Sequence, residues 1–143
     1  MRTMLLALAA VLVVGVQSIS FGRTQSVAVR GRLLCDEVAA VNIVVKLYDE
    51  DSGIDLDDLM DQTKSNQTGY FELKGHTSEF TTIDPKFNIY HDCQDGVTPC
   101  QKKFTIFIPD SFVSNGEHPE KTFDAGVIQL AGTYPGQSRD CLH

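Results

Sequence analysis

Apolar residues recur at every second position through most of this chain, and that period limits its fold more than any other feature. Val27, Val29 and Leu33, with Gly31 among them, alternate with Ala28, Arg30 and Arg32. Val41, Ile43, Val45 and Leu47 alternate with Asn42, Val44 and Lys46. Phe71 and Leu73 flank Glu72, Phe87 and Ile89 flank Asn88, and Phe104, Ile106 and Ile108 alternate with Thr105 and Phe107. Val127-Ile128-Gln129-Leu130 closes the series. A period of two sends neighbouring side chains to opposite faces of a strand. The runs are short, rich in β-branched and aromatic residues, and bounded by Gly, Pro, Asn or Asp. Six or seven of them predict an all-β sandwich in which each sheet buries one face. Residues 54–60 are the one place suited to helix, with Leu56, Leu59 and Met60 on one side. A loop with one short helical turn is expected there, and residues 111–121 read as the most loop-like connection.

The first 20 residues belong to a different pattern. Arg2 precedes an apolar stretch over residues 4–16, and Ser18-Ile19-Ser20 closes it. One positive charge, about 12 apolar residues and a small-residue exit form a secretory signal peptide. The stretch is shorter than the roughly 20 residues needed to cross a bilayer, and no second one follows. The expectation is a secreted, extracellular protein with no integral membrane segment, divided as signal peptide 1–20 and one domain 21–143. The net charge is −7, and losing Arg2, the one charged residue among the first 20, makes it −8. The cations are scattered, with Lys102-Lys103 adjacent, so nucleic acid is not an expected partner.

Export also governs the four cysteines, Cys35, Cys93, Cys100 and Cys141. An even number in an oxidising compartment reads as disulfides. Cys93 and Cys100 bracket Gln-Asp-Gly-Val-Thr-Pro, a turn-rich segment between two strand-like runs, so they are expected to face each other across a hairpin mouth. Cys35 would then pair with Cys141. A zinc site from the same thiols is disfavoured because no CxxC spacing is present.

Several residues are candidates for chemistry. Seven carboxylates crowd into residues 49–61: Asp49, Glu50, Asp51, Asp55, Asp57, Asp58 and Asp61. Oxygen-rich loops suit calcium, but an EF-hand counted from Asp49 fails, with Ile54 at its sixth position and Met60 at its twelfth. The run therefore reads as a solvated acidic connection, and no metal or cofactor is expected. Of the histidines His76, His91, His118 and His143, His91 stands out between Tyr90 and Asp92, beside Cys93. It reads as structural rather than catalytic. Asn66-Gln67-Thr68 is an N-glycosylation sequon ahead of Gly69 and a strand.

Seven groups of residues carry a resemblance. They are Val29-Arg30-Gly31-Arg32-Leu33-Leu34-Cys35, Val45-Lys46-Leu47-Tyr48-Asp49, and Glu79-Phe80-Thr81-Thr82-Ile83-Asp84-Pro85 running on to Asn88-Ile89-Tyr90-His91-Asp92-Cys93. Cys100-Gln101-Lys102-Lys103 and Ile108-Pro109-Asp110 follow, and the tail adds Lys121-Thr122-Phe123-Asp124 and Tyr134-Pro135-Gly136-Gln137-Ser138-Arg139-Asp140-Cys141. In this order they resemble the nematode transthyretin-like family. The resemblance implies an exported antiparallel β-sandwich of two sheets and seven to eight strands. It implies little about activity. Some members are thought to be extracellular adaptors, one kind bridging phosphatidylserine on dying cells to an engulfment receptor.

Two relatives by fold supply alternatives: a carrier of small hydrophobic hormones, and a hydroxyisourate hydrolase. The hydrolase uses a His-rich site and ends in a Tyr-Arg-Gly-Ser-like motif. This chain has no histidine before His76 and ends Ser138-Arg139-Asp140-Cys141-Leu142-His143. A non-enzymatic binding protein is therefore expected, with no catalytic residue. Its partner would be an extracellular or cell-surface protein or a lipid, or alternatively a small hydrophobic ligand. Phe112, Tyr134 and Arg139 are candidate anchors because they fall in expected loops.

Overall fold

The computed structural model describes residues 22–51 and 56–143, so the expected signal peptide lies outside the described residues. Among the described residues ten strands succeed one another: β1 (Arg23–Cys35), β2 (Val38–Ala39), β3 (Val44–Asp49), β4 (Asp58–Lys64), β5 (Tyr70–Glu79), β6 (Pro85–His91), β7 (Gln101–Phe107), β8 (Ser114–Asn115), β9 (Thr122–Gln129) and β10 (Ser138–Asp140). One sheet is built on β1, which pairs with β5, β2 and β8 antiparallel and with β9 parallel. The other runs β10-β7-β6-β3-β4, antiparallel throughout. The expected all-β sandwich of two sheets is present. Two of the ten strands are two-residue bridges.

The period of two meets the core as the sequence predicts. Val27, Val29 and Leu33 of β1 are fully buried against Val45 and Leu47 of β3 and Phe87 and Ile89 of β6. Phe71 and Phe87, from opposite sheets, approach to 5.8 Å between ring centres at 46°. Truncating either ring to Ala is worth about 3–5 kcal/mol by the usual cost of large core deletions. The central strand β6 is buried on both faces, including Lys86, Asn88 and Tyr90 on the side away from the core. There Thr105 donates to Asn88 Oδ1 at 2.6 Å, Asn88 donates to the Tyr90 hydroxyl at 3.3 Å, and His143 stacks on Tyr90 at 4.0 Å.

Two expectations are corrected. Of the helical turn expected over 54–60, residues 54 and 55 lie outside the described ones, and among the described residues 56 and 57 are not helical while Leu59 and Met60 belong to β4. The 3-10 turn of this fold is at Asp110–Phe112 instead. β4 extends because it pairs with β3 while its own side chains close the sandwich. The pairing slips between Leu47 and Tyr48, which face Asp61 and Leu59, so Met60 is the extra residue of a bulge and packs on the core. Asp61 Oδ2 then accepts the Lys74 N–H of β5 at 3.0 Å. Gly75 lets the strands meet, since a Cβ there would stand 2.7 Å from the Cβ and the carbonyl oxygen of Met60.

The disulfides pair differently from the expectation. Cys35 bonds Cys93, and Cys100 bonds Cys141, with Cα atoms 5.7 Å and 4.4 Å apart. Strand register explains the second. β10 lies antiparallel to β7 with Asp140 opposite Gln101, so the next residues outward, Cys141 and Cys100, face each other. Cys93 instead sits nearly buried beside Cys35, the last residue of β1, and Gln94 beyond it donates to both carboxylate oxygens of Asp36.

Candidate functional site

The two ends of the sandwich differ in chemistry. At one end β3 finishes, β4 begins and β5 turns toward β6, and carboxylates from all three places converge. Oxygens of Asp49, Asp51, Asp58 and Glu79 all lie within 4.8 Å of one another. Asp49, Asp51 and Glu79, with Glu50, border a depression of about 190 Å³ that Thr81, Thr82, Ile83 and Asp84 complete. Buried Gln25 sets the wall of this site, donating to Thr81 O at 2.8 Å and accepting the Ile83 N–H at 3.1 Å.

Asp49 is 2 % exposed, and its Oδ1 accepts the Asp84 N–H at 2.8 Å. Burial drives its pKa up to about 6 against the pull of that hydrogen bond, and Asp51, Glu79 and Asp58 push the same way. Two other acids of the run are neutralised locally. Lys86 Nζ meets Asp57 at 2.6 Å and Glu50 at 3.2 Å. Burial works against its ammonium, and the bonds to Asp57 and Glu50 outweigh that, so its pKa lies above the ordinary value. Four convergent carboxylates are the groups that could hold a hard cation such as Ca2+, which takes six to eight oxygens. The sequence missed Glu79 because it comes from β5, opposite Arg23 of β1, far from the acidic run. Asp55 lies outside the described residues.

A groove of opposite sign runs along the outer face of β3 and β4. Val44, Lys46, Gln62, Thr63, Lys64 and His143 line about 350 Å³ of it. Lys46 Nζ sits 5.5 Å over the Tyr90 ring. Tyr48, next outward-facing on β3, has its hydroxyl pKa raised to about 12, first by burial and then by Tyr90.

The candidate anchors are each used within the fold. Phe112 packs edge-on against Phe123 at 5.1 Å, and Tyr134 stacks on Phe104 at 4.2 Å while its hydroxyl donates to Gln129 O. Arg139 grips Asp95 with both terminal nitrogens, at 2.8 and 2.6 Å, and donates to Cys100 O at 3.0 Å. That bidentate pair lowers the Asp95 pKa. The histidines are spread apart in role. His91 is fully buried, His143 rests on Tyr90, and His76 and His118 share the rim of a depression of about 400 Å³ with Glu72, Lys74 and Glu117. Asn66 is exposed in the turn between β4 and β5, its Oδ1 accepting from the Thr68 N–H, the Thr68 hydroxyl and the Tyr70 N–H.

Comparison with known proteins agrees with this architecture. The family described as TTR-52: Transthyretin-like family matches residues 30–109. Transthyretin-like protein 5 of Caenorhabditis elegans is 60 % identical over 122 residues, covering 85 % of this chain and 88 % of the relative. Transthyretin-like protein 33 of the same organism is 52 % identical over 120 residues, 84 % of each chain. Transthyretin-like protein 2, also from that nematode, is 46 % identical over 139 residues, 93 % and 94 % of the two chains. The matched span takes in β2 to β7 and the end of β1 from Arg30 on. On that ground the chain belongs to the transthyretin-like family.

Proposed function

We propose that this chain is a secreted extracellular binding protein, non-enzymatic, that recognises a cell-surface protein or lipid through its outer surfaces. The observation that carries this reading is the filled interior. Phe71, Phe87, Phe104, Leu33, Leu47, Leu73, Ile83, Ile89 and Leu130 are each at most 2 % exposed between the sheets. Packing of that kind leaves no room for a guest molecule inside the sandwich. Contact with a partner then falls to the charged end and grooves described above, where loops held on rigid sheets present side chains. Two cystine crosslinks suit an oxidising, extracellular setting.

The test is proximity labelling on living cells with the processed protein as bait, against a secreted sandwich of matched charge. Reproducible enrichment of one surface component supports the reading, and labelling equal to the control overturns it. The carrier alternative would need a cavity between subunits, and native mass spectrometry of the secreted protein separates the two. A co-purifying hydrophobic mass favours the carrier, and a clean protein mass favours surface recognition.

A further inference from the structure

The end of the sandwich that carries both disulfides is organised around one imidazole. His91, the last residue of β6, points inward and has no solvent exposure. Its Nδ1 accepts the Cys93 N–H at 3.0 Å, so Nδ1 carries no proton and the neutral ring holds its hydrogen on Nε2. That Nε2 is buried with no hydrogen-bond partner. Phe104 of β7 presents its ring to the imidazole at 5.9 Å and 80°, so the wall opposite offers no acceptor. Further polar ties of this end lie on the same segment. Lys102, opposite His91 in the β6–β7 register, donates from Nζ to Cys93 O at 2.9 Å. Asp95 is held by Arg139, Asp92 accepts from Gln101, and Cys93 is bonded to Cys35.

We propose that His91 is an acid-sensing latch: its protonation breaks the His91–Cys93 turn and opens residues 92–100, while the two sheets remain folded. The reason is the number of donors. A protonated imidazole has two N–H groups and no acceptor. Nδ1–H would then point at the Cys93 N–H, turning a bond into a clash of donors, and Nε2–H⁺ would sit charged in an apolar wall. An unpaired buried charge cannot persist there, so the segment must move to wet the ring. The charged groups facing the ring are few. Lys102 from β7 opposes the added proton, while Asp92 and Asp95 from the loop favour it. Both carboxylates already have partners in Gln101 and Arg139, and Tyr134, packed behind Phe104, directs its hydroxyl to Gln129 O.

Burial, and then Lys102, hold the His91 pKa below the ordinary value, and the sign follows. The stability this group contributes is present above about pH 6.5 and is lost as pH falls through the lower folded-state pKa. Opening stays local because Cys93 remains tied to β1 and Cys100 to the end of β10. A surface built from residues 92–100 would therefore let go of its partner in acid and recover at neutral pH.

The experiment is NMR on the full secreted protein. The His91 ring is followed through a pH titration, and amide protection of residues 93–98, corrected for intrinsic exchange, is compared at pH 7.5 and 5.0. The expected result is an Nε2–H tautomer titrating below 6.5 and a reversible loss of protection that exceeds about threefold. In His91→Asn an amide oxygen replaces Nδ1 and nothing titrates, so the loss should fall below about threefold. A wild-type ring titrating at or above 6.5, protection unchanged by acid, or equal loss in His91→Asn would each overturn the proposal. The ring titration and the protection comparison in the wild-type protein need no variant and together decide the matter even if the substituted protein does not fold.

Discussion

Asp49 is a carboxylate that folding makes harder to ionise. Its folded-state pKa of about 6 lies above the ordinary 3.8, so the folded protein binds a proton more readily there than the unfolded chain does. The stability linked to that proton is complete below about pH 4 and is lost as pH rises through 6. Asp49→Asn keeps an oxygen for the Asp84 N–H and removes the charge. It is expected to raise stability at pH 7 by about 1–3 kcal/mol and to flatten the slope between pH 4 and 7. Urea unfolding at a series of pH values checks both, and a variant with an unchanged slope would show that Asp49 is not the group responsible. The acidic run announced Asp49 but not its burial, nor the approach of Glu79 from β5, since both depend on how the strands are paired. Asn66 is the opposite case, legible as a sequon and exposed in a turn. Material secreted from eukaryotic cells is expected to lose mass on treatment with peptide-N-glycosidase, and Asn66→Gln to be insensitive to it.

Among the elements, those the sequence revealed are the ones that bury apolar side chains on one face. β1, β3, β5, β6 and β7 all announce themselves through residues that turn out to be core. β4 did not, for a physical reason. Its residues on the inner side include Asp61 and Thr63, and Asp61 is spent on the Lys74 N–H rather than on apolar contact. Its one core side chain, Met60, arrives by a bulge that breaks the period. β10 is three polar residues with no apolar period to announce it, and missing it hid the reason that Cys141 meets Cys100. The contact between β4 and β5 depends on Gly75. Gly75→Ala must push Met60 or its backbone aside, and a loss of about 2 kcal/mol is expected from overpacking of this kind. Thermal or urea denaturation measures it, and a change under about 0.5 kcal/mol would mean that the strands can separate there without penalty.

For the molecule as a whole, covalent crosslinks and core act on different parts. The sequence separations of the two bridges are 58 and 41 residues, close enough that loop entropy assigns each about 4 kcal/mol. Replacing Cys35 and Cys93 together, or Cys100 and Cys141 together, is therefore expected to cost similar amounts, within roughly 2–5 kcal/mol, rather than one pair dominating. Differential scanning calorimetry of the two double variants tests this. The all-β architecture and the family were legible from period and motif. The convergence of Glu79 with Asp49, Asp51 and Asp58, and the partners of each cysteine, depend on which strands lie side by side.

Neither covalent loop encloses the other: one ends at Cys93 before the next starts at Cys100. A single protease cut after Gln94, Asp95, Gly96, Val97 or Thr98 thus leaves no covalent bond between the halves, which strand pairing and packing alone then hold together. Under denaturing but non-reducing electrophoresis the nicked protein must run as two bands, where bridges joining Cys93 to Cys100 and Cys35 to Cys141 would have kept it as one.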